Sequence, residues 1–499
     1  MDALPPAPAP PAAASGTAPR AHDDVLATLR ALRAADPPTH GGRVLSYVYD
    51  PGRPDLDELA AAAARLFQPV NGLDPTTFRS VARLERDLVA LARDVLHGDG
   101  DVVGSVTSGG TESCLLAVKA ARDAWRVARA ADAPAHASHH GPGPRAPAGR
   151  ARLVIPTTAH PAFRKAAHYL DLDLVEVPVD PATGAVAADA LLAAVRAQAD
   201  RTALVVVSAP SYPYGALDPV ADVAAGAAAL GVACHVDACL GGWVLPWWPE
   251  PLPPWDLAVP GVTSVSADLH KFGYTPKGAS VLLHRGRQRH RHQYFATKGW
   301  PGYPVVNATV LGSRAAGPLA AAWAVTRALG PEGYAALTAQ AHRATCRVRA
   351  AVGATDGLRV VGAPVGPVLA VGADVAAVPA ARVDPFRWVD ALRARGWLAQ
   401  CQPALAQADG TRLPRTAHLT LTAVSESVVD ALVRDLGAAA DDVRGAPPAE
   451  ADLALAATVA QGDLPDRLAT VMATLEALPA ELVEPLLVEV LARVVDPDA

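Results

Sequence analysis

Short β-rich runs alternate with helical segments between residues 152 and 237, and this alternation constrains the fold more than any other feature of the chain. The β-rich runs occupy 152–156, 173–179, 203–208 and 232–237. The helical segments between them begin near Pro161, Ala187 and Pro219. Strands followed by helices at this spacing predict βαβ units and a mainly parallel sheet that is buried on both faces. The run 278–284 has no crossover helix before it, so we expect it to pair antiparallel.

The rest of the chain follows other patterns. From residue 357 onward a strand-like run, a helix beginning at Pro385 and the run 418–424 predict a small α+β domain. A segment rich in Pro, Gly, Ala and His at 131–150 predicts a surface insertion loop. We therefore divide the chain into a disordered N-terminal arm over 1–40, an N-terminal segment over 41–95, a large domain over 96–330, a small C-terminal α+β domain over 331–445 and a helical extension over 446–499.

Composition excludes several functional classes. The 44 basic and 50 acidic residues give a formal charge of −6, which offers no electrostatic footprint for nucleic acid. The five cysteines are odd in number and scattered, which is typical of reduced thiols in a cytoplasm. The first 20 residues do not resemble a signal peptide, and the most apolar stretch, 220–247, is interrupted by Asp and His. We therefore expect a cytoplasmic protein without a membrane span.

A glycine-containing turn precedes the helix predicted from Thr111. Residues 107–113 read TSGGTES and follow a strand-like run. Paired glycines let the backbone approach an anion closely, and the N–H groups and dipole at a helix start favour phosphate. The motif is compatible with a phosphate cradle and, equally, with a plain Thr or Ser N-cap.

Two further polar residues follow predicted strands. Asp237 ends the run 232–237, at the edge of a parallel sheet where ligands bind, although it could instead cap the following turn. Lys271 stands in the sequence SADLHK. Lysine occurs at only five positions in this chain, which weakens its interpretation as an ordinary surface group. A lysine in a partly dry pocket loses its proton more easily, and its neutral amine forms a Schiff base with an aldehyde.

The three motifs together match the requirements of pyridoxal 5′-phosphate. That cofactor needs a cradle for its phosphate, a carboxylate that keeps its pyridine nitrogen protonated and an amine for its aldehyde. The three motifs occur in that order on one predicted α/β domain. We therefore predict a pyridoxal-phosphate enzyme.

A resemblance to a known family rests on four runs: VTSGGTESCLLAVKAARD, HVDACLGGW, SVSADLHKFGYTPKGAS and GYPVVNATVLGSRAAG. Over roughly residues 40 to 440 the chain resembles the fold-type I pyridoxal-phosphate lyases and group II decarboxylases, in particular the sphingosine-1-phosphate lyase family. The resemblance implies an α/β large domain with a mainly parallel sheet of the seven-stranded type, a smaller C-terminal α+β domain and a homodimer with shared active sites. It implies cofactor binding by Gly109, Gly110, Thr111, His160, Asp237, His270 and Lys271, with Gly312 and Ser313 reaching the neighbouring subunit's cofactor.

The same resemblance implies individual roles. Lys271 would bind the cofactor covalently, Asp237 would face the pyridine nitrogen, and His160 would stack on the ring. The segment 41–95 would contribute to the substrate site and the dimer. The implied substrate-binding residues are Tyr49, Asn71, Lys277 and Tyr303.

Two residues depart from the family pattern. Asp74 replaces a His that faces the substrate phosphate, and Tyr214 stands where the family often has a His. A carboxylate about 4 Å from a phosphate would cost on the order of 1 to 4 kcal/mol, depending on screening.

The resemblance implies cleavage of a long-chain-base (sphingoid) 1-phosphate to a fatty aldehyde and phosphoethanolamine. Two alternatives stay open: an L-amino-acid decarboxylase on the same scaffold, and a catalytically idle pyridoxal-phosphate-binding protein. We expect a small, anionic amine as substrate, no nucleic-acid partner and no metal at the site. A zinc site is not predicted because no recognised ligand spacing connects Cys234, His235, Cys239 and His270.

Overall fold

A computed structural model describes residues 21–131, 149–452 and 468–497. Its helices are α1 His22–Ala34, α2 Pro54–Phe67, α3 Arg79–Val95, α4 Gly110–Ala131, α5 Pro161–Leu170, α6 Ala188–Ala197, α7 Val220–Ala229, α8 Arg287–His290, α9 Gly317–Gly353, α10 Pro385–Arg393, α11 Ser425–Val443, α12 Leu468–Ala477 and α13 Ala480–Val494. Its strands are β1 Val102–Thr107, β2 Arg152–Pro156, β3 Asp173–Val177, β4 Thr202–Ser208, β5 Ala233–Asp237, β6 Val262–Ala267, β7 Ser280–Arg285, β8 Phe295–Thr297, β9 Val305–Asn307, β10 Leu358–Val360, β11 Val368–Ala373, β12 Gln400–Gln402, β13 Leu405–Ala406, β14 Arg412–Leu413 and β15 Thr416–Thr420. Within these ranges no helix is both long and apolar enough to cross a membrane. Most of the predicted insertion loop at 131–150 and the first 20 residues lie outside the described residues.

A seven-stranded sheet forms the centre of the large α/β unit. Its strand order is β1-β7-β6-β5-β4-β2-β3, and β7 is antiparallel to both of its neighbours. The pairs among β6, β5, β4, β2 and β3 are parallel. The helices α5, α6 and α7 follow β2, β3 and β4 as crossovers. The predicted mainly parallel sheet is therefore confirmed, as is the antiparallel pairing of the run 278–284.

The central strands are apolar because helices cover both faces of the sheet. All seven residues of β4 are buried. On the covering helix α3, buried residues recur at intervals of three and four positions, which is the period of a helix face. They are Val81, Leu84, Leu88 and Ala92. This packing fixes where the strands end, and so positions the turns that carry the polar motifs.

A four-stranded antiparallel sheet, β10-β11-β15-β12, forms the smaller C-terminal unit. The long helix α9 leads into it and is kinked at Gly330, whose φ of 59° lies in the left-handed region, with Pro331 next. The second half of α9, residues 331–353, contributes Ala344 and Val348 to the core of the smaller unit.

The prediction of a disordered arm over residues 1–40 is wrong for His22–Ala34, which form α1. The Pro- and Ala-rich composition ends before this segment, and apolar residues such as Val25, Leu29 and Leu32 then recur at helical spacing. Two aspartates in the first turn also favour the positive end of the helix dipole. No residue of α1 is buried, so its apolar face is exposed in the single chain.

Candidate active site

One cavity of about 350 Å³ lies at the edge of the large sheet where the parallel strands end. There β5 ends at Asp237, and α4 begins at Gly110, just after β1. Carboxyl ends of neighbouring parallel strands meet at one edge, so motifs that are distant in sequence converge. The cavity wall includes all seven residues that were expected to hold the cofactor within one subunit: Gly109, Gly110, Thr111, His160, Asp237, His270 and Lys271.

The start of α4 forms one wall of this cavity. A helix start leaves N–H groups without partners inside the helix, and together with the dipole they favour an anion. The Glu112 carboxylate accepts hydrogen bonds from the N–H and the hydroxyl of Ser108, at 2.6 and 2.7 Å, which fixes the preceding turn. A Cβ at Gly110 would lie 2.6 Å from Oδ2 of Asp268, so only glycine permits this close approach.

Lys271 forms an ion pair with a buried carboxylate. Its Nζ lies 2.9 Å from Oδ2 of Asp268, whose side chain is 1% exposed, and Nε2 of His270 lies 3.5 Å from the same oxygen. Burial lowers the pKa of Lys271, but Asp268 and neighbouring groups together raise it by a larger amount. The pKa of Lys271 therefore lies well above its ordinary value. The expectation that a dry pocket makes Lys271 lose its proton more easily is therefore wrong for this arrangement, because the adjacent carboxylate stabilises the ammonium form.

Backbone groups orient Asp237 and His160 at the cavity. Oδ1 of Asp237 accepts a hydrogen bond from the N–H of Cys239 at 3.1 Å. His160 caps α5, where its Nδ1 accepts the N–H of Ala162 at 3.2 Å. Burial lowers the pKa of His160, although Asp237 opposes the shift, so the imidazole is neutral near pH 7. A neutral ring held in this way is suited to stacking on an aromatic cofactor.

Tyr49 and Lys277, two of the expected substrate residues, lie against each other. Nζ of Lys277 is 4.8 Å from the centroid of the Tyr49 ring and donates a hydrogen bond to the carbonyl of His270 at 3.1 Å. Burial raises the pKa of Tyr49 to about 12. Burial and the positive charge of Lys271 lower the pKa of Lys277 to about 8. A hydroxyl donor and a cation are thus placed together, within the electrostatic reach of Lys271.

Asn71 belongs to a separate group of residues. Its Nδ2 donates a hydrogen bond to Oγ of Ser313 at 3.2 Å. The adjacent Arg314 anchors this loop through an ion pair with Glu85 at 2.6 Å. Among the described residues, six predicted site residues do not line the cavity around Lys271: Tyr49, Asn71, Lys277, Tyr303, Gly312 and Ser313.

Asp74, the acidic departure from the family pattern, faces its own turn. Its carboxylate accepts hydrogen bonds from the hydroxyls of Thr76 and Thr77, at 2.6 and 2.8 Å. These bonds, with the N–H of Thr76, lower the pKa of Asp74 to about 2. The carboxylate is therefore occupied as a turn cap.

Sequence reasoning missed Asp268 and Tyr212 as cavity residues. Asp268 stands three residues before Lys271, but the carboxylate role had been given to Asp237 alone. The other departure, Tyr214, is 4% exposed and lies in the core, whereas Tyr212 lines the cavity. The Tyr212 hydroxyl donates to Gln400 of the smaller sheet at 2.7 Å, a contact between distant segments that no local motif shows.

The residues around the cavity fit pyridoxal 5′-phosphate. They supply a helix start for its phosphate, a carboxylate at Asp237, a neutral ring at His160 and an amine at Lys271. Oδ1 of Asp268 is buried without a hydrogen-bond partner among the described residues, so the cavity also offers an acceptor to a bound polar group. Fold and cavity together define a pyridoxal-phosphate-dependent enzyme of fold type I.

Comparison with known proteins identifies the family. The pyridoxal-dependent decarboxylase conserved domain matches residues 79–363, and a C-terminal HTH domain of pyridoxal-dependent enzymes matches 416–493. The sphingosine-1-phosphate lyase of Arabidopsis thaliana is 34% identical over 81% of this chain and 69% of its own length. The solved sphingosine-1-phosphate lyase of Burkholderia pseudomallei is 35% identical and superposes with a TM-score of 0.76 over 89% of this chain and 96% of that one. A glutamate decarboxylase of Lactobacillus brevis, at 20% identity, shares the fold with a TM-score of 0.72 over 87% of this chain and 95% of its own.

The chain belongs to the sphingosine-1-phosphate lyase branch of the pyridoxal-dependent decarboxylase family. Pyridoxal 5′-phosphate is its cofactor, and the protein is a pyridoxal-phosphate-dependent lyase. The family, fold class and cofactor expected from the sequence are thereby confirmed.

Proposed function

We propose that this protein cleaves a carbon–carbon bond in a long-chain-base (sphingoid) 1-phosphate, giving a fatty aldehyde and phosphoethanolamine. The observation that carries the proposal is the pairing of Lys277 with Tyr49, in which Lys277 also donates to the carbonyl of His270, the residue before Lys271. This pair provides a cation and a hydroxyl for a phosphate within the electrostatic reach of the reacting amine. Relatives named sphingosine-1-phosphate lyase, matched over most of the chain, support the same activity. They do not favour an amino-acid decarboxylase or an idle cofactor-binding protein.

Pyridoxal phosphate, when bound, supplies the sink for the electron pair that the broken carbon–carbon bond leaves behind. The start of α4, with Gly110 and Thr111, would hold its phosphate. Asp237 would face the pyridine nitrogen and keep a proton on it, and His160 would lie against the ring. Each of these groups borders the same cavity, so they can act on one bound molecule.

The ion pair of Lys271 and Asp268 holds a proton where the reaction needs one. After the bond breaks, the carbon that stays attached to the amine must take up a proton. Lys271 carries a proton on Nζ at the cavity wall, 2.9 Å from the Asp268 carboxylate. Asp268 keeps that amine protonated and oriented, and therefore serves as a positioning residue.

Lys277 and Tyr49 would recognise the anionic head group. With a pKa of about 8, Lys277 is mainly an ammonium ion near pH 7, and Tyr49, with a pKa of about 12, keeps its proton. Both groups are donors, and hydrogen bonds from a cation to a phosphate oxygen are among the stronger ones in proteins. We propose on this basis that the substrate is anionic.

The proposed assembly is a homodimer with shared active sites. The hairpin formed by β8 and β9 exposes large apolar side chains, with Phe295, Tyr303 and Val306 at 58%, 59% and 62% exposure. This surface leads directly to Gly312 and Ser313, and exposed apolar patches of this kind mark interfaces. We expect light scattering on the eluting protein to give the mass of two chains, and Val306→Asp to shift it towards one. A monomeric native protein would contradict the proposal.

The proposed location is the cytoplasm. All five cysteines are free, including the buried Cys114, Cys234, Cys239 and Cys401, which suits a reducing compartment. Cell fractionation with an antibody against the protein tests this, and recovery from a secreted fraction would contradict it.

The activity itself is tested by incubating the cofactor-loaded protein with sphinganine 1-phosphate and, separately, with a panel of L-amino acids. Release of aldehyde together with phosphoethanolamine supports the lyase, and carbon dioxide without aldehyde contradicts it. Lys277→Gln should raise KM for the phosphorylated substrate by about tenfold or more, as expected when a hydrogen bond to a charged group is lost. The control Lys165→Gln alters a lysine that lies 5.4 Å from the Tyr169 ring on α5, and should leave KM unchanged.

A further inference from the structure

Three potential metal-ligating side chains meet outside the cofactor cavity, where the segment after Trp248 packs against α9. Nε2 of His342 lies 3.3 Å from Oε1 of Glu250 and 3.4 Å from Sγ of Cys346. All three ligand atoms lie within 4.8 Å of one another. We infer that Glu250, His342 and Cys346 form a binding site for one zinc ion.

The distances match the edges of a zinc tetrahedron. Zinc bonds are about 2.0 Å to nitrogen or oxygen and about 2.3 Å to sulfur. At tetrahedral angles these bonds separate nitrogen from oxygen by about 3.3 Å and nitrogen from sulfur by about 3.5 Å. The observed separations from His342 Nε2 are 3.3 Å and 3.4 Å, so little side-chain movement is needed to admit the ion.

The local structure presets this arrangement. His342 and Cys346 are four residues apart on α9, a spacing that places both side chains on one face of a helix. The two carboxylate oxygens of Glu250 have different partners. Oε1 faces His342, while Oε2 accepts a hydrogen bond from the indole N–H of Trp248 at 3.1 Å. The rings of Trp248 and His342 also pack edge to face, with centroids 4.9 Å apart. Such outer contacts orient metal ligands and raise affinity.

The positive charge of the neighbouring Arg349 opposes the binding of a metal cation. Nη2 of Arg349 lies 3.6 Å from Oε1 of Glu250 and 3.7 Å from Sγ of Cys346. The Arg349 side chain is 42% exposed, so it can turn into solvent when the ion binds. His342, with its side chain 19% exposed, and Glu250, at 47%, leave the site open for water as the fourth ligand, as in three-ligand zinc sites.

The ion would join two parts of the chain. Glu250 lies in the loop after the core residue Trp248, and the other two ligands lie on the half of α9 that packs against the smaller C-terminal sheet. Zinc would therefore fix the large unit to the second half of α9 and stabilise the folded chain by an amount that grows with the logarithm of its affinity.

Metal analysis of the holoenzyme tests the inference. After dialysis against metal-free buffer and addition of zinc, we expect one zinc ion per chain in the native protein and at least a tenfold weaker affinity in Cys346→Ser. The control His97→Ala removes a histidine that pairs with Asp256 at 2.6 Å but belongs to no group of three potential ligands in the described part of the chain, and it should bind zinc as the native protein does. With cobalt, the native protein should show thiolate charge-transfer absorption that Cys346→Ser lacks.

Two further variants separate a metal site from a simple hydrogen-bonded cluster. Trp248→Phe removes the donor that orients Glu250 and should weaken zinc binding by about 10- to 100-fold. Arg349→Gln removes the competing cation and should strengthen zinc binding by about two- to fivefold, the effect expected for an exposed ion pair. Zinc should also raise the unfolding temperature of the native protein but not of Cys346→Ser. Absence of stoichiometric zinc in the native protein, or unchanged zinc binding in Cys346→Ser, would overturn the inference.

Discussion

The ion pair between Lys271 and Asp268 leads to a prediction about the stability of the apoprotein. Asp268 is 1% exposed and Lys271 is 19% exposed. Burial raises the pKa of Asp268, but Lys271 and His270 together lower it by a larger amount. The pKa of this carboxyl is therefore held well below its ordinary value. Replacing Lys271 by alanine therefore leaves a buried carboxylate without its main partner.

The expected cost follows from the burial of the pair. Removing one partner of a buried ion pair costs about 3 to 5 kcal/mol. His270, 3.5 Å from the same oxygen, remains as a second donor, so the cost should fall at the lower end of that range. Replacing both partners, in Lys271→Ala with Asp268→Asn, should return the free energy of unfolding to within about 1 to 2 kcal/mol of the native value, because no charge is then left unpaired.

The cost of Lys271→Ala should also depend on pH. Without Lys271, burial raises the folded-state pKa of Asp268 above the unfolded value of about 3.9. The penalty is then present at neutral pH and is relieved as pH falls and the carboxyl takes up a proton. In the native protein the pKa of Asp268 is lowered instead, so the dependence on pH is reversed. The ionised carboxylate then stabilises the fold at pH values above its unfolded-state pKa, and this stabilisation is lost as pH falls.

Urea unfolding at pH 7.5 and pH 5.5 measures these effects on four apoproteins: the native protein, Lys271→Ala, the double variant and the control Lys165→Ala. The double variant should be more stable than Lys271→Ala, and the deficit of Lys271→Ala should shrink at the lower pH. Lys165→Ala serves as the control for loss of a lysine outside the cavity. If the double variant is less stable than Lys271→Ala, the two side chains act independently and the reasoning is refuted.

Three further predictions concern the cofactor and substrate sites. The kcat/KM for the anionic substrate should fall as pH rises through about 8, where Lys277 loses its proton, and Lys277→Gln should remove that limb of the profile. Gly110→Ala should weaken pyridoxal-phosphate binding at least tenfold in an absorbance titration, because the added Cβ would lie 2.6 Å from a carboxylate oxygen. The control Gly100→Ala should bind the cofactor normally, because a Cβ added there has no other atom within 4 Å. Arg314→Gln should lower the free energy of unfolding by about 1 to 3 kcal/mol in urea, because it breaks a charged hydrogen bond to Glu85, and an unchanged midpoint would show that the pair contributes nothing.

The fold and the cofactor cavity could be predicted from the sequence because both depend on local patterns. Apolar runs such as 203–208 identify buried strands, and residues at strand ends converge by the geometry of a parallel sheet. This is why Asp237 and the turn before α4 were brought together correctly. Helix α1 was missed because the Pro-rich composition of the first residues was extended past its end, over an apolar face with helical spacing.

Contacts between distant segments could not be predicted in the same way. Asp237 ends one strand and Asp268 follows the next, and nothing in the sequence shows which carboxylate faces Lys271. Tyr212 and Tyr214 alternate on one short segment, and only the packed structure turns the first towards the cavity and the second into the core. The zinc ligands combine a helical i,i+4 pair with a residue about 90 positions earlier, so only the pair leaves a signal in sequence.

The two lysines of the site differ in pKa because Asp268 forms its ion pair with Lys271. Asp268 lies against Lys271 and raises its pKa, whereas Lys277 is further away and is governed by burial and by the positive charge of Lys271. Lys271 therefore stays protonated over the range in which Lys277 titrates. The upper limit of activity with pH should accordingly be set by loss of the anion-binding charge, while the proton held beside Asp268 remains available. A substitution at Asp268 would narrow this difference, because it removes the group that raises the pKa of Lys271 most while burial still lowers it.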